Sequence, residues 1–161
     1  MTARKTSRPS PSLEAQAIRL LARREYGRAE LAARLRARGA EPQAIERALD
    51  KLTAQGYLSD RRYADALVTA RRGQFSRRAI AHELKTRGVA ADASRAALDM
   101  LAGSDDAAEA AALWARRYGT VPRDEREKAR QVRFLVSRGY SLSIALRVLR
   151  AAGARVDDDT T

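Results

Sequence analysis

The chain has 161 residues, 32 Lys and Arg against 20 Asp and Glu, a formal net charge of +12 and a pI near 11.0. The lack of Cys and the single His exclude a disulfide scaffold, a thiolate metal site, a Cys nucleophile and a histidine metal cluster. No run of residues approaches the roughly 20 apolar side chains of a membrane span, so we expect a cytoplasmic protein, without a cofactor, whose charge attracts a polyanion.

The predicted elements are helices throughout. Ala, Leu, Arg and Glu dominate, β-branched residues are sparse, and apolar residues recur at three- and four-residue spacing. Residues 1–12 are expected to be a disordered basic tail, and residues 154–161 a disordered acidic tail. The predicted helices are, in chain order, 13–25, 28–38, 41–55, 60–72, 76–87, 91–102, 105–118, 124–138 and 141–152.

The sequence also repeats. Arg-Gly recurs at 38–39, 87–88 and 138–139, with a Leu four residues before and ten residues after each Gly. Each pair is typical of a helix C-terminus, where Gly adopts the left-handed cap and Arg faces the negative end of the dipole. An Ala-x-x-Leu pair followed by two Arg opens each unit, at Ala17, Ala64 and Ala110. The fixed period predicts an all-α chain of three tandem three-helix repeats, over 13–58, 59–103 and 104–153.

Several residues mark where helices begin or break. Pro42 suits the first turn of its helix, where a missing N–H costs nothing. Ser76 and Ser141 stand at predicted N-caps, and Asp105-Asp106 opens a helix whose dipole the carboxylates offset. Residues 119–122 (Gly-Thr-Val-Pro) predict a linker between two helices of the third repeat.

The positive charge is distributed along the whole chain. Of the 32 cations 28 are Arg, whose planar fork suits phosphate oxygens, although a GC-rich coding bias would also favour Arg. A charge spread in this way favours an extended surface lying along a long polyanion. Residues 1–12 carry +3, 13–58 carry +3, 59–103 carry +4, 104–156 carry +5 and 157–161 carry −3.

No catalytic constellation is present, because the phosphate-binding Gly-rich loops, the nucleophile elbow and the zinc-binding HExxH helix are all missing. The sequence therefore predicts a protein that is not an enzyme. The segment 70–80 (ARRGQFSRRAI) could instead grip phosphates with its arginines and stack a base on Phe75. The alternative is that Phe75 is a hydrophobic staple and the arginines are only solvated.

A second basic stretch lies in the third repeat. Arg126, Arg130 and Arg133 share one helix face and could reach phosphates together with Lys128, although two neighbouring glutamates dilute their charge. Elsewhere, Trp114 is predicted to be in the core, whereas the single histidine, at position 82, is predicted to be exposed.

The segment between the first two repeats resembles a known family. Residues 56–64 read Gly-Tyr-Leu-Ser-Asp-Arg-Arg-Tyr-Ala, and residues 78–89 read Arg-Ala-Ile-Ala-His-Glu-Leu-Lys-Thr-Arg-Gly-Val. Together they resemble the RecX family of regulatory proteins, with Ser59 where an acidic or amide residue is common. Residues 17–35 are similar to the family's opening helix pair, and the third repeat matches more loosely. The resemblance covers about residues 13–150.

The resemblance implies an elongated, curved stack of three-helix repeats that binds and regulates the RecA recombinase. RecX-like proteins lodge in the groove of the RecA–single-stranded DNA filament and restrain its growth or favour its disassembly. They thereby damp strand exchange, ATPase and the co-protease activity that triggers the SOS response in DNA repair. The chain is thus expected to be a monomer whose partners are RecA and the RecA filament, and which also contacts DNA directly. The alternative is a helical repeat protein that binds nucleic acid without RecA.

Some of the motif residues are expected to stabilise the fold, and others are expected to contact a partner. Asp60 is expected to be a helix cap or an ion-pair partner, and the polar face of the 62–78 segment is expected to meet the filament. The motif residues predicted to be mostly core are Tyr57, Leu58, Tyr63, Ala64, Ile80 and Leu84. The predicted filament- or DNA-binding residues are Arg62, Arg71, Arg72, Phe75, Arg77, Arg78, Lys85, Arg87, Arg126, Lys128, Arg130 and Arg133.

Overall fold

The computed structural model describes residues 11–158, with side chains through residue 154. Over that range the chain is all helical, as predicted, and none of these helices is long and apolar enough to cross a membrane. Most of the predicted N-terminal tail and the last three residues lie outside the described range. The α-helices are α1 (Leu13–Leu21), α2 (Arg28–Arg36), α3 (Pro42–Ala54), α4 (Asp60–Arg71), α5 (Arg77–Thr86), α6 (Ala91–Leu98), α7 (Asp106–Arg117), α8 (Glu125–Ser137) and α9 (Leu142–Asp158).

The helices group in threes, so the three tandem three-helix repeats are confirmed. The second helix of each repeat ends two or three residues before the predicted glycine, and Gly39, Gly88 and Gly139 have φ of 86°, 69° and 93°. These left-handed values explain why Gly recurs there, since an L side chain at such a φ is strained.

The predicted helix starts are also confirmed. The hydroxyl of Ser76 accepts from the Ala79 N–H, and that of Ser141 accepts from the Ile144 N–H, each at 3.2 Å. Asp105 caps α7 by accepting from the backbone two residues on. Each cap satisfies a donor that the first turn of a helix leaves without an intrahelical partner.

Three predicted boundaries were wrong. Helix α1 ends at Leu21 and not at 25, because the chain turns there to bury Tyr26, which is 5% exposed with the Arg24 guanidinium 3.7 Å from its ring centroid. The helix predicted over 91–102 is α6 followed by a 3₁₀ turn, Asp99–Leu101. Helix α9 was predicted to end at 152 and instead continues to Asp158 through Gly153, which is not left-handed.

The chain divides into two compact units, one ending at Tyr63 and the other beginning at Ala64. The core of the first unit is a cluster of aliphatic side chains from its three helices. Its largest fully buried members are Leu31, Leu35, Ile45, Leu49, Leu52 and Leu58.

In the second unit Trp114 is 8% exposed, as predicted, within the core of the third repeat. Its indole N–H donates at 2.7 Å to the side-chain oxygen of Gln131, which is 2% exposed. This hydrogen bond satisfies a polar pair that would otherwise be costly to bury.

Most motif residues predicted to be core are buried, but Tyr57 is not. Tyr57 is 53% exposed, whereas its neighbour Leu58 is 2% exposed. Gly56, with φ of 78°, turns the chain so that Leu58 faces inward and the preceding side chain faces solvent. The buried members are Leu58, Tyr63, Ala64, Ile80 and Leu84.

The first turn of α4 closes on the start of α2. Gly27 precedes α2 and has no side chain to cap it, and the Asp60 carboxylate instead accepts from the Arg28 N–H at 2.7 Å. A Cβ at position 27 would lie 3.0 Å from the Tyr63 ring, so the glycine also permits this close approach. The predicted capping role of Asp60 is confirmed, although the helix that it caps belongs to the preceding repeat.

Within the second unit, the C-terminus of α8 packs on the start of α5. The Ser76 N–H donates to the Arg138 carbonyl at 2.9 Å. A Cβ at Gly139 would lie 2.5 Å from the Cβ of Ala79, and closer still to the Ser76 hydroxyl. The second and third repeats are thus in direct contact at a point where only glycine fits.

Candidate interface for an anionic partner

The cations predicted to contact a partner fall into two groups, those held by the protein's own carboxylates and those left open to solvent. Arg71 and Arg87 belong to the first group, because both bond Glu83 at 2.8 Å. The hydrogen bond from Arg71, followed by that from Arg87, holds the pKa of the Glu83 carboxyl below its usual value. Arg71 therefore links the end of α4 to Glu83 on α5, and Arg87, which follows α5, bonds the same glutamate.

Arg62 is also held by its surroundings. Its Nε donates to Glu25 at 2.8 Å, and its Nη2 donates to the carbonyls of Gly56 and Tyr57 at 2.9 and 3.2 Å. The guanidinium thereby fixes the turn between α3 and α4, and a contact with a partner would compete with these bonds.

Phe75 lies between guanidinium groups. The ring is half-buried, with Arg138 Cζ 4.8 Å and Arg71 Cζ 5.6 Å from its centroid. Both distances are within the range of a cation–π contact. Because these groups already approach the ring, stacking a base on Phe75 would require them to move, and its base-stacking role stays a prediction.

Four of the predicted residues in the segment 72–85 are exposed, and among the described residues they have no carboxylate partner. We call Arg72, Arg77, Arg78 and Lys85 the basic strip. Arg78 and Lys85 stand seven residues apart on α5, with the exposed His82 between them, so all three share one face of the helix. The single acid of α5, Glu83, is turned toward Arg71 and Arg87. The α5 face formed by Arg78, His82 and Lys85 therefore carries no acid, and the two other residues of the basic strip, Arg72 and Arg77, are exposed at or just before the start of α5 in the sequence.

The second predicted stretch lies on α8. Arg126, Arg130 and Arg133 line one depression together with Asp124 and Glu127, which confirms that the three arginines share a face. The acids dilute the charge, as the sequence indicated: Arg130 lies 3.6 Å from Glu127, and Lys128 lies 3.1 Å from Glu125. In the part of the chain that the structure describes, Arg126 and Arg133 have no such partner.

Two arginines that contact this segment were not among the predicted site residues. Arg116 donates to the Gly73 carbonyl, and Arg138 lies between Phe75 and Phe134, with its Cζ 5.2 Å from the Phe134 centroid. Both hold the loop that connects α4 to α5, and so position the arginines at each end of it. The Arg-Gly repeat indicated a helix end at Arg138, but no signal in the sequence indicated this second contact.

The described side chains include no group of three or more His, Asp or Glu placed to hold a metal ion. Glu83, the acid of α5, has its oxygens already bonded to arginines. What this surface offers chemically is hydrogen-bond donation and positive charge.

Comparisons with known proteins match the whole helical region. Three family models apply: the first three-helix domain of RecX over residues 15–52, the second over 59–98 and the third over 104–149. A protein named Regulatory protein RecX from Leptothrix cholodnii is 43% identical over 156 residues, which cover 97% of this chain and 99% of the relative. The protein of that name from Ralstonia nicotianae is 37% identical over 91% of this chain and 92% of its own length.

Solved structures show the same fold. The crystal structure of RecX from Lactobacillus salivarius aligns with a TM-score of 0.65 at 18% identity, covering 88% of this chain and 95% of that one. A second crystal structure, of regulatory protein RecX, aligns with a TM-score of 0.64 at 21% identity, over 84% of this chain and 71% of that one.

Proposed function

Because the chain belongs to the RecX family of regulatory proteins, we propose that it binds RecA and the RecA–single-stranded DNA filament and inhibits recombinase, ATPase and co-protease activity. Its effect would be to limit RecA action in DNA repair and the SOS response. The protein acts in the cytoplasm as a monomer and works by occupying a surface of RecA, without catalysing a reaction.

The observation that carries the proposal is the basic strip. Arg72, Arg77, Arg78 and Lys85 are exposed and bond no carboxylate among the described residues. A cation that is paired within its own protein must break that ion pair to bind a partner, whereas these four have no ion pair to break among the described residues. A filament presents acidic protein and phosphates together, and a surface of one sign steers such a partner and fixes its orientation.

The test is a charge-matched pair of variants. The strip variant replaces Arg72, Arg77, Arg78 and Lys85 with Ala. The control replaces four other exposed cations, which also have no carboxylate partner in the described range and lie in the first repeat. The control positions are Arg19, Arg36, Arg38 and Arg47.

Both variants lose four positive charges, so a general electrostatic effect would weaken them equally. We expect the strip variant to need at least about tenfold more protein to inhibit RecA ATPase on single-stranded DNA, and the control to stay close to wild type. Inhibition at wild-type concentrations by a strip variant with unchanged circular dichroism would refute the assignment of this surface.

A second candidate function, direct binding of nucleic acid without RecA, is favoured by the absence of acids on the strip's helix face. Binding through phosphate contacts should weaken with salt, with a slope near 0.9 per contact on logarithmic axes for duplex DNA. Sedimentation with bare DNA and with RecA-coated DNA separates the two functions. A strong preference for coated DNA supports RecA regulation, whereas equal binding to both supports direct nucleic-acid binding.

A further inference from the structure

An apolar cleft of about 210 Å³ opens between α7 and α9 in the third repeat. Its walls are mostly alanine, with the edge of Trp114 and a valine, and Arg147 is the one charged residue among them. The exposed alanines continue along α7 beyond the cleft, at Ala108 and Ala112. The cleft lining consists of Ala107, Ala111, Trp114, Ala115, Arg147, Val148, Ala151 and Ala152.

The first repeat has a polar surface at the same position. Between its first and third helices, Lys51 Nζ bonds Glu14 at 2.8 Å, and both residues line the depression there. The repeat register places Ala107 at the position of Glu14, since each stands three residues before its Ala-x-x-Leu pair. It likewise places Ala151 at the position of Lys51, since each stands twelve residues after its Arg-Gly glycine. The ion pair that spans this position in the first repeat is therefore replaced by two alanines in the third.

The remaining charge on the cleft indicates what would bind there. Arg147 stands where the first repeat has Arg47, is exposed, and has no carboxylate partner within the described part of the chain. An apolar cleft with one open guanidinium at its wall suits a large apolar side chain followed closely by a carboxylate.

We propose that this cleft, here named the α7–α9 groove, binds an acidic protein segment that inserts an apolar side chain and pairs a carboxylate with Arg147. The inference rests on the proposed function, because the segment is assigned to the protein partner that the basic strip also contacts. The groove would add an apolar anchor, which gives affinity, to an electrostatic contact that mainly gives orientation and rate.

Other occupants fit the groove poorly. The ten residues before Pro11 carry three cations and no acid, so they lack the carboxylate that would pair with Arg147. Residues 159–161 (Asp-Thr-Thr) have no large apolar side chain. A second copy of the chain would bring another +12 of charge against the first, which opposes association. An acidic segment of another protein is the occupant that satisfies both the cleft and Arg147.

The test rebuilds the ion pair of the first repeat in the third. The variant Ala107→Glu/Ala151→Lys should replace two apolar groove residues with an ion pair across the groove, without changing the net charge. The control, Ala29→Glu/Ala33→Lys, makes the same two substitutions at exposed alanines one turn apart on α2. A second groove variant, Ala111→Met, fills the cleft with an apolar side chain and adds no charge.

Binding is measured by co-sedimentation with RecA on single-stranded DNA, with circular dichroism and thermal melting as checks on folding. We expect both groove variants to bind about tenfold more weakly than wild type. The control should bind as wild type does, and Arg147→Gln should weaken binding with a smaller salt dependence.

The outcomes separate this inference from the function on which it rests. Folded groove variants that bind as tightly as wild type would overturn the groove assignment and leave RecA binding intact. A wild-type protein that fails to sediment with RecA, or that sediments equally with bare DNA, would overturn both.

Discussion

Gly139 is the position at which the packing of the second repeat on the third can be measured most directly. Gly39 is its equivalent in the first repeat, and both end a helix with positive φ, 93° and 86°. A Cβ at Gly39 would have no atom within 4 Å, whereas a Cβ at Gly139 would collide with Ser76 and Ala79. The pair of variants Gly39→Ala and Gly139→Ala therefore differs in the collision alone.

The two costs can be worked out separately. A left-handed conformation costs an L-residue about 1–2 kcal/mol, and the loss of chain freedom in the unfolded state returns about 0.4–1 kcal/mol. Gly39→Ala should therefore destabilise the protein by about 1 kcal/mol. At Gly139 the added methyl group meets a backbone-anchored Cβ that cannot rotate away, and such overpacking costs about 1–3 kcal/mol more. Gly139→Ala should therefore cost about 2–4 kcal/mol in total.

Urea denaturation followed by circular dichroism measures both variants, and the fluorescence of Trp114 reports on the third repeat, since the chain has one Trp. In thermal melting, we expect Gly39→Ala to lower the midpoint by roughly 2–4 °C and Gly139→Ala by roughly 4–16 °C. Ser76→Gly combined with Gly139→Ala should recover little of the loss, because the Ala79 Cβ still obstructs the added methyl group.

Equal destabilisation by Gly39→Ala and Gly139→Ala would refute the reasoning. It would mean that position 139 has room for a methyl group, and hence that the C-terminus of α8 does not press on the first turn of α5 in solution.

Two further predictions concern a helix cap and a buried hydroxyl group. Asp60→Ala should cost about 1 kcal/mol and accelerate hydrogen exchange at the Arg28 amide, because α2 loses its cap, whereas Asp60→Asn should retain most of the protection. The Tyr140 hydroxyl is buried with no hydrogen-bond partner among the described groups, so Tyr140→Phe should raise stability in urea by about 1 kcal/mol. Burial raises the pKa of Tyr140 to about 12, whereas the phenol of the unfolded chain ionises near pH 10. The stability of the wild-type protein should therefore fall between those two pH values, and the stability of Tyr140→Phe should change less over the same range.

The sequence predicted the repeat structure well because its signals are local. Positive φ at the Arg-Gly glycines and the hydroxyl caps at Ser76 and Ser141 depend on a few neighbouring residues, and the structure confirms them. Tyr57 shows where local spacing fails, because a single left-handed glycine beside it decides which of two adjacent apolar residues faces inward.

The candidate site was harder to predict because every arginine in it has the same local appearance. Arg71 and Arg72 are adjacent, yet Arg71 bonds a glutamate twelve residues away, whereas Arg72 remains open. Arg62 meets Glu25 across thirty-seven residues. The sequence indicates where cations are abundant, but only the folded arrangement shows which of them the protein already uses.

The hydrogen bond from the Arg28 N–H to the Asp60 carboxylate affects where the first repeat can be separated from the rest of the chain. The first repeat ends in sequence near Leu58, yet the residue that completes the start of its second helix comes after that point. The sequence period and the boundary of the first compact unit thus differ by a few residues, because the first compact unit extends to Tyr63. A chimera that exchanges first repeats between relatives should therefore carry its junction after Tyr63, because a cut at the sequence period would separate a helix from its own cap.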